Sequence, residues 1–277
     1  MPLRDWPGKR LIGGANLLRG RGRRFADAPR KVAALSRLAR EESAHAVVCT
    51  GDLSALGTDA ELEAARSGVQ PFFEAPLGFV CIPGNHDLYT RSVVREQRFD
   101  RHFGDALFSD LPEQCTDGQW PVVRLLREQA AVIAVNSARP NLPWKSSGRI
   151  PDSQLEGLRT ILALEEIRRR FVFVATHYAP LRADGSPDTP LHGLDNAGAL
   201  MDVCAGIRRG AILCGHIHHA FRYAIPPDLY CGGSATMDGY EAAWWFEIEE
   251  LRTTVRPVHW DGNAWSLGPA DERTLVG

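Results

Sequence analysis

Two stretches decide the fold: residues 46–54, AVVCTGDLS, and residues 78–87, GFVCIPGNHD. In each, a short apolar run rich in β-branched residues ends at a glycine, and polar residues follow. This pattern is typical of a buried strand that carries a functional loop at its carboxyl end. The two stretches therefore predict an α/β protein in which polar loops follow buried strands.

The pattern recurs in residues 171–177, FVFVATH, and in residues 211–219, AILCGHIHH. Four strands would then bring two carboxylates, one carboxamide and several imidazoles to one edge of a sheet. Such a mixed oxygen and nitrogen set suits divalent Mn, Fe or Zn, and it is too rich in imidazole for calcium. Taken alone, each piece also fits an ordinary turn or a hydrogen-bonded loop histidine. An aspartate between two metals can bridge them, and two-metal sites suit in-line displacement at phosphorus.

The order and spacing of these motifs resemble those of the calcineurin-like metallophosphoesterases, in particular their bacterial phosphodiesterase-like branch. The matching motifs are Gly51-Asp52-Leu53, Gly84-Asn85-His86-Asp87, the strand that ends at His177, and Gly215-His216-Ile217-His218. The resemblance covers roughly residues 32–233. It implies a four-layer α/β sandwich, in which two mixed β-sheets pack together and helices lie outside them.

The resemblance also implies a role for each motif residue. Asp52 would bridge two divalent ions, Asn85, His177 and His216 would complete one metal sphere, and His218 would bind the other ion. His86 would act as an acid near the leaving-group oxygen, and Asp87 would hold it in orientation. We expect His216 and His218 to point the same way, because residues two apart on an extended stretch share a face. His219 would then be structural.

One family motif is missing. The resemblance calls for Asp-x-His at the end of a first strand, but the only upstream candidates are Asp5, Asp27 and His45, and none has that spacing. Either the chain as given starts too late, or the protein lacks the motif. We favour the late start because it accounts for the loss of a strand and a motif together. The first metal site is incomplete in the chain as given, and on the first explanation a missing upstream segment would restore the motif.

The sequence therefore predicts a metal-dependent phosphoesterase that hydrolyses a phosphodiester or phosphomonoester, with a diester as the first choice. The alternative is a catalytically impaired relative that holds one metal and binds phosphorylated ligands. Asn136 and Arg139 follow a further predicted strand, residues 131–135, and are candidates for substrate contact. We place His45, His102, His192 and His259 on the surface or in the core.

Composition sets limits on the remaining possibilities. The 277 residues carry a formal net charge of −2, and the six cysteines show no CxxC spacing. We expect no nucleic-acid groove, signal peptide or membrane span, and a cytoplasmic protein. Residues 1–31 form a basic arm, and residues 32–277 form a single domain. The arm is either a solvated, partly disordered terminus, which we favour, or a segment that makes weak contact with an anionic membrane surface or with phosphate-bearing substrate.

Periodicity predicts helices at 28–42, 59–69, 91–103, 153–170 and 194–207, with Asp27 and Thr58 as the caps of the first two. After His219 we expect short antiparallel strands.

Overall fold

The structure is a computed structural model that describes residues 13–14, 21–250 and 252–274. Residues 1–12 and 15–20 of the expected basic arm lie outside the described residues. The described part of the arm contains a 3-10 helix, Arg21–Phe25, and the start of the first long helix at Ala28.

A six-stranded mixed sheet forms one of the two β layers, in the order β3-β4-β5-β6-β8-β7. Strands β4, β5, β6 and β8 run parallel, and β3 and β7 pair antiparallel at the two edges. The apolar runs before His177 and His216 form adjacent strands of this sheet, as the sequence predicted. The strand bounds are β3 Val122–Leu126, β4 Ala130–Ala134, β5 Phe171–Ala175, β6 Gly210–Cys214, β7 Phe221–Tyr223 and β8 Asp228–Cys231.

The second β layer consists of two separately hydrogen-bonded parts within the described residues. Strands β1, Val47–Cys49, and β2, Phe79–Cys81, form a parallel pair. The other part is antiparallel, with β10 pairing β9, β11 and β12. Its strands are β9 Ala242–Ile248, β10 Arg252–Trp260, β11 Trp265–Leu267 and β12 Asp271–Thr274.

The helices follow the predicted positions, with two interruptions. The first two are α1, Ala28–Glu41, and α2, Asp59–Val69. The predicted helix 91–103 is divided at Gln97, whose φ is 49°, and the predicted helix 153–170 is divided at Leu164, which is extended. The remaining helices are α3 Arg91–Arg95, α4 Arg98–Phe103, α5 Asp152–Ala163, α6 Glu165–Arg168 and α7 Ala197–Cys204.

One of the two predicted helix caps is confirmed. The hydroxyl of Thr58 accepts a hydrogen bond from the Glu61 N–H, and the Glu61 carboxylate accepts one from the Thr58 N–H, which is a capping box. The prediction for Asp27 is wrong. Its carboxylate makes no capping hydrogen bond and instead pairs with Arg30 at 2.7 Å.

Two apolar clusters cover the faces of the six-stranded sheet. Alternate residues of β5 separate cleanly between them, because successive side chains of a strand point to opposite faces. Phe171 and Phe173 pack toward β2 and β9, whereas Val172 and Val174 pack toward α5 and α7. The central strands are therefore buried on both faces. This leaves the loops at their carboxyl ends to carry functional side chains. In the described part of the chain, no helix combines the length and apolar character needed to cross a membrane.

Candidate metal centre

Four loops bring the predicted ligands of one metal together. Asp52 follows β1, Asn85 follows β2, His177 follows β5 and His216 follows β6. One ligand atom each from Asp52, His177 and His216 lies within 4.8 Å of the other two. The Oδ1 of Asn85 lies 3.1 Å from His177 Nε2 and 3.0 Å from His216 Nδ1.

Backbone carbonyls fix the tautomers of both histidines. His177 Nδ1 lies 2.7 Å from the Thr50 carbonyl, and His216 Nε2 lies 3.0 Å from the His192 carbonyl. A carbonyl only accepts hydrogen bonds, so these two nitrogens carry the protons. The other nitrogen of each ring therefore presents a bare lone pair to Asn85 Oδ1.

This arrangement lacks a positive group at its centre. Two imidazole lone pairs and an amide oxygen face one another, and the Asp52 carboxylate lies 3.6 Å from His177 Nε2. Asn85, His177 and His216 are 6%, 1% and 8% exposed, so water screens their mutual repulsion poorly. A divalent ion would satisfy all four donor atoms, and mixed imidazole and oxygen donors suit Mn, Fe or Zn. The residues present therefore fit the metal that their chemistry implies.

The protonation states agree with metal binding. Burial, and then the neighbouring His177 and His192, lower the pKa of His216 to about 2, so its ring is neutral. Burial alone would raise the pKa of Asp52. The neighbouring His177 and His86 imidazoles and the hydrogen bond from His86 N–H outweigh that effect and hold the pKa of Asp52 at about 2, so the carboxylate is ionised.

Asp87 supports the loop that carries Asp52. Its buried carboxylate accepts hydrogen bonds from the backbone N–H groups of Asp52, Ser54 and Gly84 at 2.8–2.9 Å, from Leu53 N–H at 3.2 Å and from the Ser54 hydroxyl. Burial and the charge of Asp52 raise the pKa of Asp87 to about 6, while these donors act in the opposite direction. The Asp87 oxygens accept from both motif loops, and the expectation that Asp87 orients His86 remains a prediction.

His86 is held by other groups. Its Nδ1 lies 2.7 Å from the Ala55 carbonyl, and its ring stacks on Tyr89 with the centroids 5.7 Å apart. The His86 backbone N–H donates to Asp52 Oδ1 at 2.9 Å, which ties the two motif loops together. Its role as an acid remains a prediction.

Close backbone approach explains the glycines of the two motif loops. A Cβ on Gly84 would lie 2.5 Å from the Asp52 nitrogen and closer still to Asp52 Oδ1. Gly51 has φ of 103°, and a Cβ there would lie 2.5 Å from the Gly84 nitrogen. Only glycine therefore lets these two loops meet and place Asp52 beside His177.

The loop after β6 is not extended. His216 and His218 have φ of 67° and 63°, which is left-handed backbone, as is Asp52 at 64°. The prediction that this stretch is extended, with His216 and His218 on one face, is therefore wrong. His218 does not join the cluster formed by Asp52, His177 and His216. The exposed His219 packs its ring against Tyr240, with the centroids 4.8 Å apart.

Sequence reasoning missed three supporting groups, namely the carbonyls of Thr50, Ala55 and His192. Every residue carries a carbonyl, so the sequence holds no signal for this role. The sequence places His192 on the surface or in the core, outside the site, but its ring packs on His216 with the centroids 4.1 Å apart. Asn136 and Arg139 line a cavity of about 420 Å³, and their contact with substrate remains a prediction.

Comparison with known proteins agrees with this geometry. The family profile described as calcineurin-like phosphoesterase matches residues 24–220. A dimetal phosphatase from Danio rerio has 14% identity and a TM-score of 0.63, and the match covers 91% of this chain and 90% of that chain. At this identity the likeness shows the fold alone, and the predicted sandwich is confirmed. No curated protein matches the sequence.

Two further solved structures are similar to this chain with lower TM-scores. Vacuolar Protein Sorting 29 from Cryptosporidium parvum has 12% identity and a TM-score of 0.38, over 85% of this chain and 87% of that chain. A calcineurin-like phosphoesterase from Bacillus subtilis has 14% identity and a TM-score of 0.40, over 88% of this chain and 80% of that chain.

Proposed function

Because the chain belongs to the calcineurin-like phosphoesterase family, we propose that it hydrolyses a phosphate ester at the metal centre built on Asp52, Asn85, His177 and His216. A phosphodiester is the first substrate class to test and a phosphomonoester the second. The observation that carries the proposal is the buried convergence of two bare imidazole nitrogens, an amide oxygen and a carboxylate.

Each residue has a distinct task in this reaction. Divalent ions, when bound, supply Lewis-acid stabilisation of the charge that develops on the phosphoryl oxygens. Asp52, Asn85, His177 and His216 hold one such ion, and we propose Mn, Fe or Zn. The Ala55 carbonyl holds Nδ1 of His86, so His86 exchanges its proton with the leaving-group oxygen at Nε2.

A second candidate function is binding of phosphorylated ligands at one metal, without turnover. One observation favours it: Asp52, His177 and His216 form the one metal-type cluster of three or more His, Cys, Asp or Glu side chains within the described residues. Among the residues that the structure describes, a second ion would rest on Asp52 and His218, and these two protein ligands leave its sphere incomplete.

The deciding experiment is hydrolysis of a chromogenic phosphodiester by the purified chain with Mn²⁺, beside Asp52→Asn. The substitution keeps the side-chain shape but removes the charge that faces the metal. We expect turnover in the wild type and its loss in the variant. Mn²⁺ binding without turnover in the wild type would favour the one-metal binding protein. Equal turnover in both proteins would refute the proposed centre.

The cellular setting is a separate proposal. All six cysteines are free thiols, and four of them are buried, which supports a reducing compartment such as the cytoplasm. The weak membrane-surface contact of the basic arm depends largely on residues outside the described part of the chain. Fractionation of cells that express the tagged chain would test both points.

A further inference from the structure

We propose that His192, held by Asp188, is a substrate-contacting residue whose Nε2 hydrogen-bonds the phosphate group bound at the metal centre. This inference rests on the proposed function and adds a residue that lies in none of the sequence motifs. Three independent features carry it: the ion pair with Asp188, the anchoring of the loop, and the contact with His216.

The ion pair leaves one ring nitrogen available. His192 Nδ1 lies 2.6 Å from Asp188 Oδ2, and the Asp188 side chain also accepts the Thr189 N–H at 2.7 Å. The Asp188 side chain is 14% exposed and the His192 side chain is 45% exposed. Across residues 21–250 and 252–274, Nε2 of His192 has no hydrogen-bond partner. A carboxylate at Nδ1 fixes the ring orientation and presents Nε2 outward, as it does for functional histidines in general.

Backbone hydrogen bonds anchor the loop that carries Asp188 and His192. The N–H groups of His192 and Gly193 both donate to the Thr189 carbonyl, at 2.9 and 2.7 Å. The same loop is tied to a neighbouring one, because Ser146 N–H donates to the Leu191 carbonyl and Gly148 N–H donates to the Gly193 carbonyl. The backbone therefore positions the imidazole before any ligand arrives, which limits the entropy lost on binding.

The position of His192 connects it to the metal centre. Its carbonyl accepts the Nε2–H of His216, and its ring lies over the His216 ring with an interplanar angle of 34°. The main chain of one residue thus orients a metal ligand, while its side chain borders the same ligand on the exposed side. A phosphate held by the metal would lie beside a half-exposed imidazole with a free nitrogen.

The two roles of His192 can be separated by mutation. A side-chain substitution retains the carbonyl that fixes His216, so metal binding should persist in His192→Ala and in His192→Gln. The glutamine variant keeps a polar group that can partly replace Nε2. The control is His102→Ala, because His102 also pairs with a carboxylate, that of Asp59 at 3.4 Å, outside the metal centre.

The test measures three quantities on the Mn²⁺-loaded full chain: metal content, melting temperature and the affinity for inorganic phosphate by calorimetry. We expect His192→Ala to keep its metal and to bind phosphate about tenfold more weakly, since a hydrogen bond to a charged group has been removed. His192→Gln should recover part of this loss, and His102→Ala should bind as the wild type does. Where turnover is measurable, KM should rise more than kcat falls.

Three outcomes would overturn the inference. Phosphate affinity in His192→Ala within twofold of the wild type would show that the side chain makes no contact. Weak phosphate binding that accompanies lost metal would show a structural role only. Failure of the Mn²⁺-loaded wild type to bind phosphate would refute the proposed function, and the inference with it.

Discussion

A methyl group at Gly84 should dismantle the metal centre although no ligand residue is replaced. A Cβ there would meet the backbone nitrogen and the Oδ1 of Asp52, both well inside van der Waals contact. The Asp52 nitrogen is a backbone atom that no change of side-chain rotamer can move, so the two motif loops must separate. Asp52 would then move away from His177, and the hydrogen bond from His86 N–H to Asp52 Oδ1 would be lost.

The expected cost of Gly84→Ala follows from these contacts. Overpacking of a close-packed region typically costs about 1–3 kcal/mol, and the lost hydrogen bond to a charged group adds roughly 1.5–3 kcal/mol. We therefore expect the free energy of unfolding to fall by about 3 kcal/mol or more. The measurement is urea unfolding of the metal-free protein followed by tryptophan fluorescence, with a Mn²⁺ titration of each protein.

Gly68→Ala is the matched control. Gly68 lies exposed near the end of α2, and a Cβ there would meet no atom within 4 Å. Alanine favours the helix by about 0.5–1 kcal/mol over glycine, so this variant should be more stable and should bind Mn²⁺ normally. The reasoning fails if Gly84→Ala matches the wild type in stability and metal affinity, or if both alanine variants shift in the same direction.

Two further predictions concern stability. Because His216 has its pKa lowered to about 2 by burial, while an unfolded histidine titrates near 6.5, the unfolded chain binds the extra proton. The metal-free protein should therefore lose stability as the pH falls below about 6.5, by up to about 1.4 kcal/mol per pH unit from this group, and His216→Gln should show a shallower slope in urea unfolding. An unchanged slope would contradict the neutral, buried state of the ring. Lys31→Met should lower the free energy of unfolding by about 3 kcal/mol, because Lys31 is 2% exposed and its ammonium is the partner of Asp238 and Glu241. Calorimetry would test this, and a variant as stable as the wild type would show that the ion pairs contribute no net stability.

Much of the fold was predictable because strong local patterns agree with it. The runs before Asp52, Asn85, His177 and His216 all form the expected strands. Short apolar β-branched segments that end at polar loops are typical of buried strands. The Thr58 cap was readable for the same reason, because its Glu61 partner lies three residues on.

The secondary-structure predictions were wrong where the backbone adopts conformations that are unusual for the residue types present. Strand β3 was not predicted, and the turn that joins it to β4 contains Arg127 at φ of 55° where a glycine or asparagine would have marked it. Gln97 divides one helix in the same way. The loop after β6 was expected to be extended, but His216 and His218 are left-handed.

The site was predictable at the level of side chains and less so at the level of contacts. The motif residues Asp52, Asn85, His177 and His216 converge as expected. The carbonyls of Thr50 and His192 orient His177 and His216, and the Ala55 carbonyl holds His86. The Asp87 carboxylate gathers N–H groups from both motif loops. Such contacts depend on the tertiary path of the chain, which spacing in the sequence does not encode.

The left-handed backbone at Asp52, His216 and His218 has an evolutionary consequence. Each of these non-glycine residues costs roughly 1 kcal/mol or more relative to glycine in the same conformation. The hydrogen bonds of Asp52 with His86 N–H and of His216 with the His192 carbonyl offset part of that cost in the metal-free protein. Selection for thermal stability alone, in a library without metal, should therefore tolerate glycine at these positions more readily than selection for metal binding does.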